Sequence, residues 1–117
     1  MIEVKNIKKS YGDRVVLNNV NLQFQKNNIT VLLGKSGEGK TTLFRIIAGI
    51  EAQDEGQVVI DNSKTTMVFQ DNQLYPHLNV FNNLVLPQRV ILKRNKKEAT
   101  IVSENILKRL NIEYLKY

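Results

Sequence analysis

The chain has 117 residues, 42% of them hydrophobic and 24% charged, which is the composition of one globular domain with a modest core. It has no cysteine, which excludes disulfides and thiolate metal sites, and no apolar run approaches the roughly 20 residues of a membrane span. The net charge is +6, and its one local cluster, at residues 89–97, is interpreted as a solvated loop and helix start rather than a nucleic-acid surface.

The first 33 residues have the pattern of β-strands. Loose alternation of apolar side chains predicts a strand over residues 2–10, a turn at 11–13 and a second strand region over 15–24. The near-continuous apolar run Ile29–Leu33 predicts a further strand, of the kind that is buried on both faces of a sheet.

The next stretch, Gly34–Thr41, fits the phosphate-binding pattern Gly-x-x-x-x-Gly-Lys-[Ser/Thr]. A helix predicted over residues 40–48, with Gly49 near its end, completes the order of strand, loop and helix that this motif requires. Glycines allow successive N–H groups to point at an anion, and the helix adds the positive end of its dipole. The glycine spacing does not match the dinucleotide pattern Gly-x-Gly-x-x-Gly.

Shorter elements follow the loop and its helix. We expect an acidic turn at residues 51–56, a short strand at 57–61, a turn at 62–64, a β-rich run at 65–70 and a loop at 71–77.

The end of the chain has a helical pattern. Asn79 is a candidate cap for a helix that begins at Val80 and that Pro87 interrupts. Residues 97–110 predict an amphipathic helix. Its apolar positions are Ala99, Val102, Ile106 and Leu110, with Ile101 and Leu107 beside them. These patterns divide the chain into an α/β nucleotide-binding core over 1–78 and a helical piece over 79–117.

Four features in order resemble a known family. They are Ser10-Tyr11-Gly12, the loop Gly34–Thr42, the acidic turn and strand 54–61, and the run 67–70 followed by 74–84. Together they resemble the N-terminal half of an ATP-binding cassette (ABC) transporter ATPase. The resemblance implies an α/β fold with a P-loop NTPase-type core, built from a β-rich N-terminal part, the phosphate loop and its helix. The start of a helical subdomain follows, and the domain is incomplete.

The resemblance also implies the site and its cofactors, ATP and Mg²⁺. Tyr11 would stack on adenine and Val16 would pack beneath the base or ribose. Gln70 would position the attacking water and ligate Mg²⁺ together with Thr41. The phosphates would be held by Gly34, Ser36, Gly37, Glu38, Gly39, Lys40, Thr41 and Thr42.

The implied partners are a transmembrane permease, contacted through residues 71–90, and a second ATP-binding subunit. The N-terminus lacks the apolar core of a signal peptide, so we expect a cytoplasmic chain held at the inner face of the cell membrane by the permease. Within the family, Pro76-His77-Leu78 and Lys96-Lys97-Glu98-Ala99 most resemble the importers of polar amino acids.

Family members continue into a Leu-Ser-Gly-Gly-Gln signature, an acidic strand and a switch histidine, and these 117 residues contain none of them. We therefore expect the chain by itself to bind ATP without appreciable hydrolysis. One alternative is a non-catalytic fragment that docks on a membrane subunit. A second alternative is an ABC ATPase of a lipoprotein or peptide exporter. A third is a small kinase or GTPase, and Tyr11 and Gln70 argue against this third alternative only.

Overall fold

A computed structural model describes residues 1–61 and 65–117, and these divide into two units, Met1–Val68 and Phe69–Tyr117. The turn expected at 62–64 lies outside the described residues.

The division falls between Val68 and Phe69, ten residues before the change predicted at 78. The loop before the second unit's helices belongs with those helices because Asn83 holds it. The Asn83 side chain donates to the carbonyl of Leu78 at 3.0 Å and accepts from the N–H of Tyr75 at 2.7 Å.

The first unit is built on an antiparallel sheet whose central strand comes first in the chain. Strands β1 (Ile2–Tyr11) and β2 (Arg14–Phe24) form a hairpin, and β3 (Glu55–Ile60) pairs with the other edge of β1. All three strands were predicted, each within two residues of its observed ends.

One helix, α1 (Lys40–Ile47), covers this sheet and confirms the helix predicted after the loop. Its side chains at spacings of three and four share one face, which is buried on the strands. Burial of each such aliphatic side chain contributes about 1.5–3 kcal/mol. The buried core consists of Val4, Ile7, Leu17, Leu43, Ile46 and Ile47.

The strand predicted at Ile29–Leu33 is wrong: this segment is irregular, and Ile29 and Leu33 are 96% and 87% exposed. Residues 65–70, also predicted as β-rich, do not form a strand either. Their side chains suit a buried strand, but a strand also needs a neighbour that pairs with its N–H and C=O groups. Among the described residues, the sheet contains only β1, β2 and β3.

The second unit contains helices α2 (Val80–Val90) and α3 (Lys96–Arg109) and a 3₁₀ turn, Glu113–Leu115. Asn79 caps α2 as predicted, because its side-chain oxygen accepts from the N–H of Asn82 at 2.8 Å.

Pro87 does not interrupt α2, which continues to Val90. Proline removes one helical hydrogen bond, yet the pattern resumes beyond it, since the N–H of Ile91 donates to the carbonyl of Pro87 at 2.9 Å. The predicted interruption is therefore wrong.

The face that α3 buries differs from the predicted one. Ala99, Ser103 and Leu107 are buried, whereas Leu110 is 62% exposed. Ser103 can lie in this face because Gln88 of α2 donates to its hydroxyl at 2.8 Å. A polar pair thus joins the two helices where an apolar stripe was predicted.

Candidate functional site

The phosphate loop lies between the irregular segment 29–33 and α1, which begins at Lys40. The predicted order of strand, loop and helix is therefore observed only from the loop onward. Gly39 is the residue before the first helical turn, and among the described residues no side chain caps that turn. The first-turn N–H groups have no partner within a helix, and the first turn contains no acidic residue, so this end of α1 favours an anion.

Two glycines shape the loop. Gly37 and Gly39 have φ angles of 81° and 84°, a region that residues with a Cβ rarely adopt. A Cβ at Gly39 would also lie 2.8 Å from Cγ1 of Val16. Only glycine fits here, because the loop backbone lies directly against β2.

Lys40 bends back over the loop that precedes it. Its Nζ donates to the carbonyl of Gly34 at 2.8 Å and to that of Lys35 at 2.5 Å. The charged amine is thereby held beside the loop backbone, on the first residue of α1, rather than in open solvent.

Glu38 stabilises the same loop from within. Its Oε2 accepts from the N–H of Lys35 at 2.7 Å, and a Cβ at Gly34 would lie 2.6 Å from that oxygen. The only carboxylate of the loop is thus hydrogen-bonded to the loop's own backbone.

The β1–β2 hairpin supplies further residues to the loop. Tyr11 and Arg14 are cross-strand partners at the tip of the hairpin, and Arg14 Nη2 donates to the carbonyl of Gly37 at 3.1 Å. Val16 lies two residues further along β2, against Gly39. The hairpin therefore brings Val16 to the loop and carries Tyr11 at its tip.

The other predicted residues lie as follows. Ser36 and Thr41 are exposed, and Thr42 is partly buried in the first turn of α1. Gln70 is an exposed residue near the start of the second unit. The roles predicted for all of these residues stay predictions.

Sequence reasoning missed three residues. Arg14 contacts the loop, Glu51 accepts a hydrogen bond from the Tyr11 hydroxyl, and Asn83 organises the loop before α2. Arg14 and Glu51 act on groups 23 and 40 positions away in the chain, so no local pattern marks them.

No helix in residues 1–61 and 65–117 is both long and apolar enough to span a membrane.

Comparison with known families and curated proteins gives consistent matches. A family model described as ABC transporter matches residues 17–117. The probable ABC transporter ATP-binding protein PEB1C of Campylobacter jejuni is 38% identical over an alignment 121 residues long, gaps included, which covers 92% of this chain and 50% of that protein. The sulfate/thiosulfate import ATP-binding protein CysA of Escherichia coli K12 is 36% identical over an alignment 124 residues long, gaps included, which covers 97% of this chain and 34% of that protein. The chain thus spans half or less of these curated relatives.

A solved structure is similar as well. It is a dimeric, post-hydrolysis state of the ATP-binding cassette MJ0796 bound to ADP and Pi. The TM-score is 0.74 at 30% identity, over 92% of this chain and 56% of that one. The agreement supports the P-loop NTPase fold and an incomplete domain.

Proposed function

Because this chain belongs to the ABC transporter family, we propose that it forms the ATP-cradling part of the ATP-binding subunit of a membrane transporter. The observation that carries the proposal is the loop Gly34–Thr42, which leads into the N-terminus of α1. Gly39 gives that N-terminus no side-chain cap, and the Lys40 amine is hydrogen-bonded to the loop backbone. Hydrolysis of ATP coupled to solute transport is the proposed activity of the whole protein.

The loop's donors fit a triphosphate. The N–H groups of the first turn of α1 and the amine of Lys40 supply hydrogen bonds and positive charge at one place. On binding, a phosphate oxygen would replace the carbonyls of Gly34 and Lys35 as partner of that amine. An anionic oxygen is the stronger acceptor, so the exchange favours binding.

The hairpin supports the nucleoside end of the ligand. In the proposed complex the half-exposed ring of Tyr11 stacks on the base, and Val16 packs beneath the base or ribose. Base–aromatic stacking contributes about 1–3 kcal/mol per base in nucleic-acid sites.

The donor set also fits Mg²⁺. This ion keeps several waters and takes few protein ligands beside phosphate oxygens, so the exposed hydroxyl of Thr41 is a suitable ligand. The family resemblance adds the amide of Gln70 as a second proposed ligand. Bound Mg²⁺ would neutralise charge on the phosphates. Gln70 offers both an acceptor and a donor, which suits a residue that orients a water.

We propose two protein partners, a second ATP-binding subunit and a permease that docks on residues 71–90. The exposed side chains Leu74 and Tyr75 support the second proposal, since they lie on a loop that Asn83 holds in one shape. Through the permease the protein would be held at the inner face of the membrane.

We further propose import of a polar solute, with polar amino acids as the first class to test. The support is the resemblance of residues 76–78 and 96–99 to that group, together with a relative whose name specifies sulfate/thiosulfate import. Uptake of labelled polar amino acids and of sulfate by the whole transporter distinguishes the two. Uptake of sulfate alone would refute the amino acid proposal.

Titration of Mg-ATP into the chain and into Lys40→Ala tests the central proposal. Lys35→Ala is the matched control, because it removes the same charge from the same loop while Lys35 contributes to the loop through its backbone. We expect Lys40→Ala to weaken binding at least tenfold, a loss typical of a charged hydrogen bond, and Lys35→Ala to change it less than threefold. Equal losses in the two variants would refute a specific phosphate site.

A further inference from the structure

Charged side chains hold the Tyr11 side chain at the tip of the β1–β2 hairpin. Its hydroxyl donates to the carboxylate of Glu51, and Nζ of Lys9 lies 5.3 Å from the centre of its ring. The same Nζ is 3.9 Å from the Glu51 oxygen that accepts from Tyr11. We call Lys9, Tyr11, Glu51 and Asp54 the tyrosine cluster.

Asp54 anchors this cluster to β1. Its Oδ1 is 3.2 Å from Nζ of Lys9, and its Oδ2 accepts from the N–H of Ser10 at 2.7 Å. The Ser10 N–H, and after it the Lys9 ammonium, hold the pKa of Asp54 below its ordinary value, so the anchor is ionised at neutral pH. The backbone on the N-terminal side of Tyr11 is therefore fixed as well as the ring.

Exposure differs sharply within the cluster. The side chains of Lys9 and Glu51 are 15% and 20% exposed, whereas Tyr11 is 48% exposed. Lys9 and Glu51 are thus largely covered, whereas the carboxylate of Asp54, 45% exposed, and the Tyr11 ring are open to solvent. Because Lys9 takes one face of the ring, a flat ligand would have the other face for stacking.

We propose, resting on the function proposed above, that Glu51 and Lys9 are positioning residues that hold the Tyr11 ring for stacking on a purine base. A mobile tyrosine must lose rotamer freedom when it stacks, and a ring already held at its hydroxyl and at one face loses less. The tyrosine cluster then acts on the affinity for nucleoside triphosphates and leaves the affinity for bare polyphosphates unchanged.

A merely structural role predicts a different result. If the cluster only tied residues 51–54 to β1, its loss would lower stability and weaken both kinds of ligand alike. The ratio of two affinities therefore separates the possibilities, with Mg-ATP and Mg-tripolyphosphate as the ligands.

The decisive variant is Glu51→Gln, with Glu55→Gln as matched control. Both remove one carboxylate charge, but Glu55 pairs with Lys8, 2.8 Å away, and not with the cluster. We expect Glu51→Gln to weaken Mg-ATP binding about three- to tenfold, less than the loss of a whole charged hydrogen bond because the amide oxygen of glutamine still accepts from the Tyr11 hydroxyl, and to change tripolyphosphate binding less than twofold. Glu55→Gln should change neither. Tyr11→Phe removes the donor itself and should weaken Mg-ATP binding at least as much, and the double variant should lose no more than Tyr11→Phe, because the contact is already absent there.

Tyrosine emission gives a readout that needs no ligand. The chain has four tyrosines and no tryptophan, and a phenol that donates to a carboxylate emits weakly. Glu51→Gln should raise the emission, and adding Tyr11→Phe should abolish that rise. Unchanged emission in Glu51→Gln would refute the positioning role. An equal loss of affinity for Mg-ATP and Mg-tripolyphosphate in that variant would also refute it.

The two proposals fail in distinguishable ways. Lys40→Ala without effect on either ligand would refute the phosphate site itself. Loss of both ligands in Lys40→Ala with wild-type behaviour in Glu51→Gln would refute only the role of the tyrosine cluster. A chain that bound neither ligand would refute both.

Discussion

Replacement of Gly39 by alanine is the sharpest test of how the phosphate loop is built. The backbone there has a φ of 84°, and an added Cβ would lie 2.8 Å from Cγ1 of Val16. The same Cβ would lie 3.0 Å from the carbonyl oxygen of Val16 and from Cδ2 of Leu17. The methyl group thus meets a side chain and a backbone atom of β2 at distances that neither can accept without movement.

The expected loss of unfolding free energy has two parts, and substitutions at two other glycines distinguish them. A positive φ costs alanine about 1–3 kcal/mol, and overpacking of a filled site costs about 1–3 kcal/mol. Gly49 has a φ of 71° with nothing within 4 Å of an added Cβ, so Gly49→Ala carries only the first part. Gly37 has a φ of 81° in the same loop, and its nearest neighbour would be Nη2 of Arg14 at 3.6 Å. We expect Gly39→Ala to lose about 2–6 kcal/mol of the free energy of unfolding, and the two controls about 1–3 kcal/mol.

Urea unfolding followed by far-ultraviolet circular dichroism measures these differences. Val16→Ala removes the Cγ1 that the new methyl meets but leaves the Val16 carbonyl in place. The double variant should therefore recover part of the loss, a coupling of about 0.5–3 kcal/mol. A Gly39→Ala variant as stable as Gly49→Ala, or a double variant with purely additive losses, would refute the close contact between loop and strand.

Three further variants test other parts of the chain. Asp54→Asn should lower the urea midpoint at neutral pH, and its difference from the wild-type midpoint should vanish in acid. The reason is that a lowered folded-state pKa gives stability that is lost as pH falls through that pKa. A difference that persisted unchanged in acid would contradict this. Asn83→Ala should speed proteolytic cleavage and amide exchange in residues 75–79, whereas exposed Asn82→Ala should not, and equal rates would count against the anchor. Gln88→Ala should lower the free energy of thermal unfolding by about 1–3 kcal/mol, because it leaves the buried hydroxyl of Ser103 without its hydrogen-bond donor. Adding Ser103→Ala should recover part of that loss. A further loss in the double variant would rule out the unsatisfied hydroxyl as the cause.

Local patterns predicted much of this fold. The alternation in β1 and β2, the glycine loop and the start of α1 are all read within short windows, and the structure places each within two residues. The cap at Asn79 is equally local, because the residue and the N–H that it serves are three positions apart.

The errors come from contacts between distant residues. Ile29–Leu33 has the side chains of a buried strand, but pairing depends on a neighbour that no local pattern identifies. Ser103 is buried because of Gln88, 15 positions away, and the Tyr11 hydroxyl meets Glu51, 40 positions away. The residues around the site that went unpredicted are thus those whose partners are set by tertiary structure.

The position of β1 in the middle of the sheet has a consequence for the order of folding. The hairpin with β2 closes over a short turn, whereas Ile2 pairs with Ile60 only after the whole intervening chain has been arranged. Hairpins form within microseconds. Pairings between residues so far apart in the chain are slow, because the entropy of loop closure is lost before the contacts can stabilise the pair. The phosphate loop and α1 lie inside the closed segment, but they pack on β1 and β2, so the hairpin supplies their frame before β3 pairs. We expect mutations in β3 to slow the late pairing step and to leave the earlier packing of the loop and α1 on the hairpin unchanged.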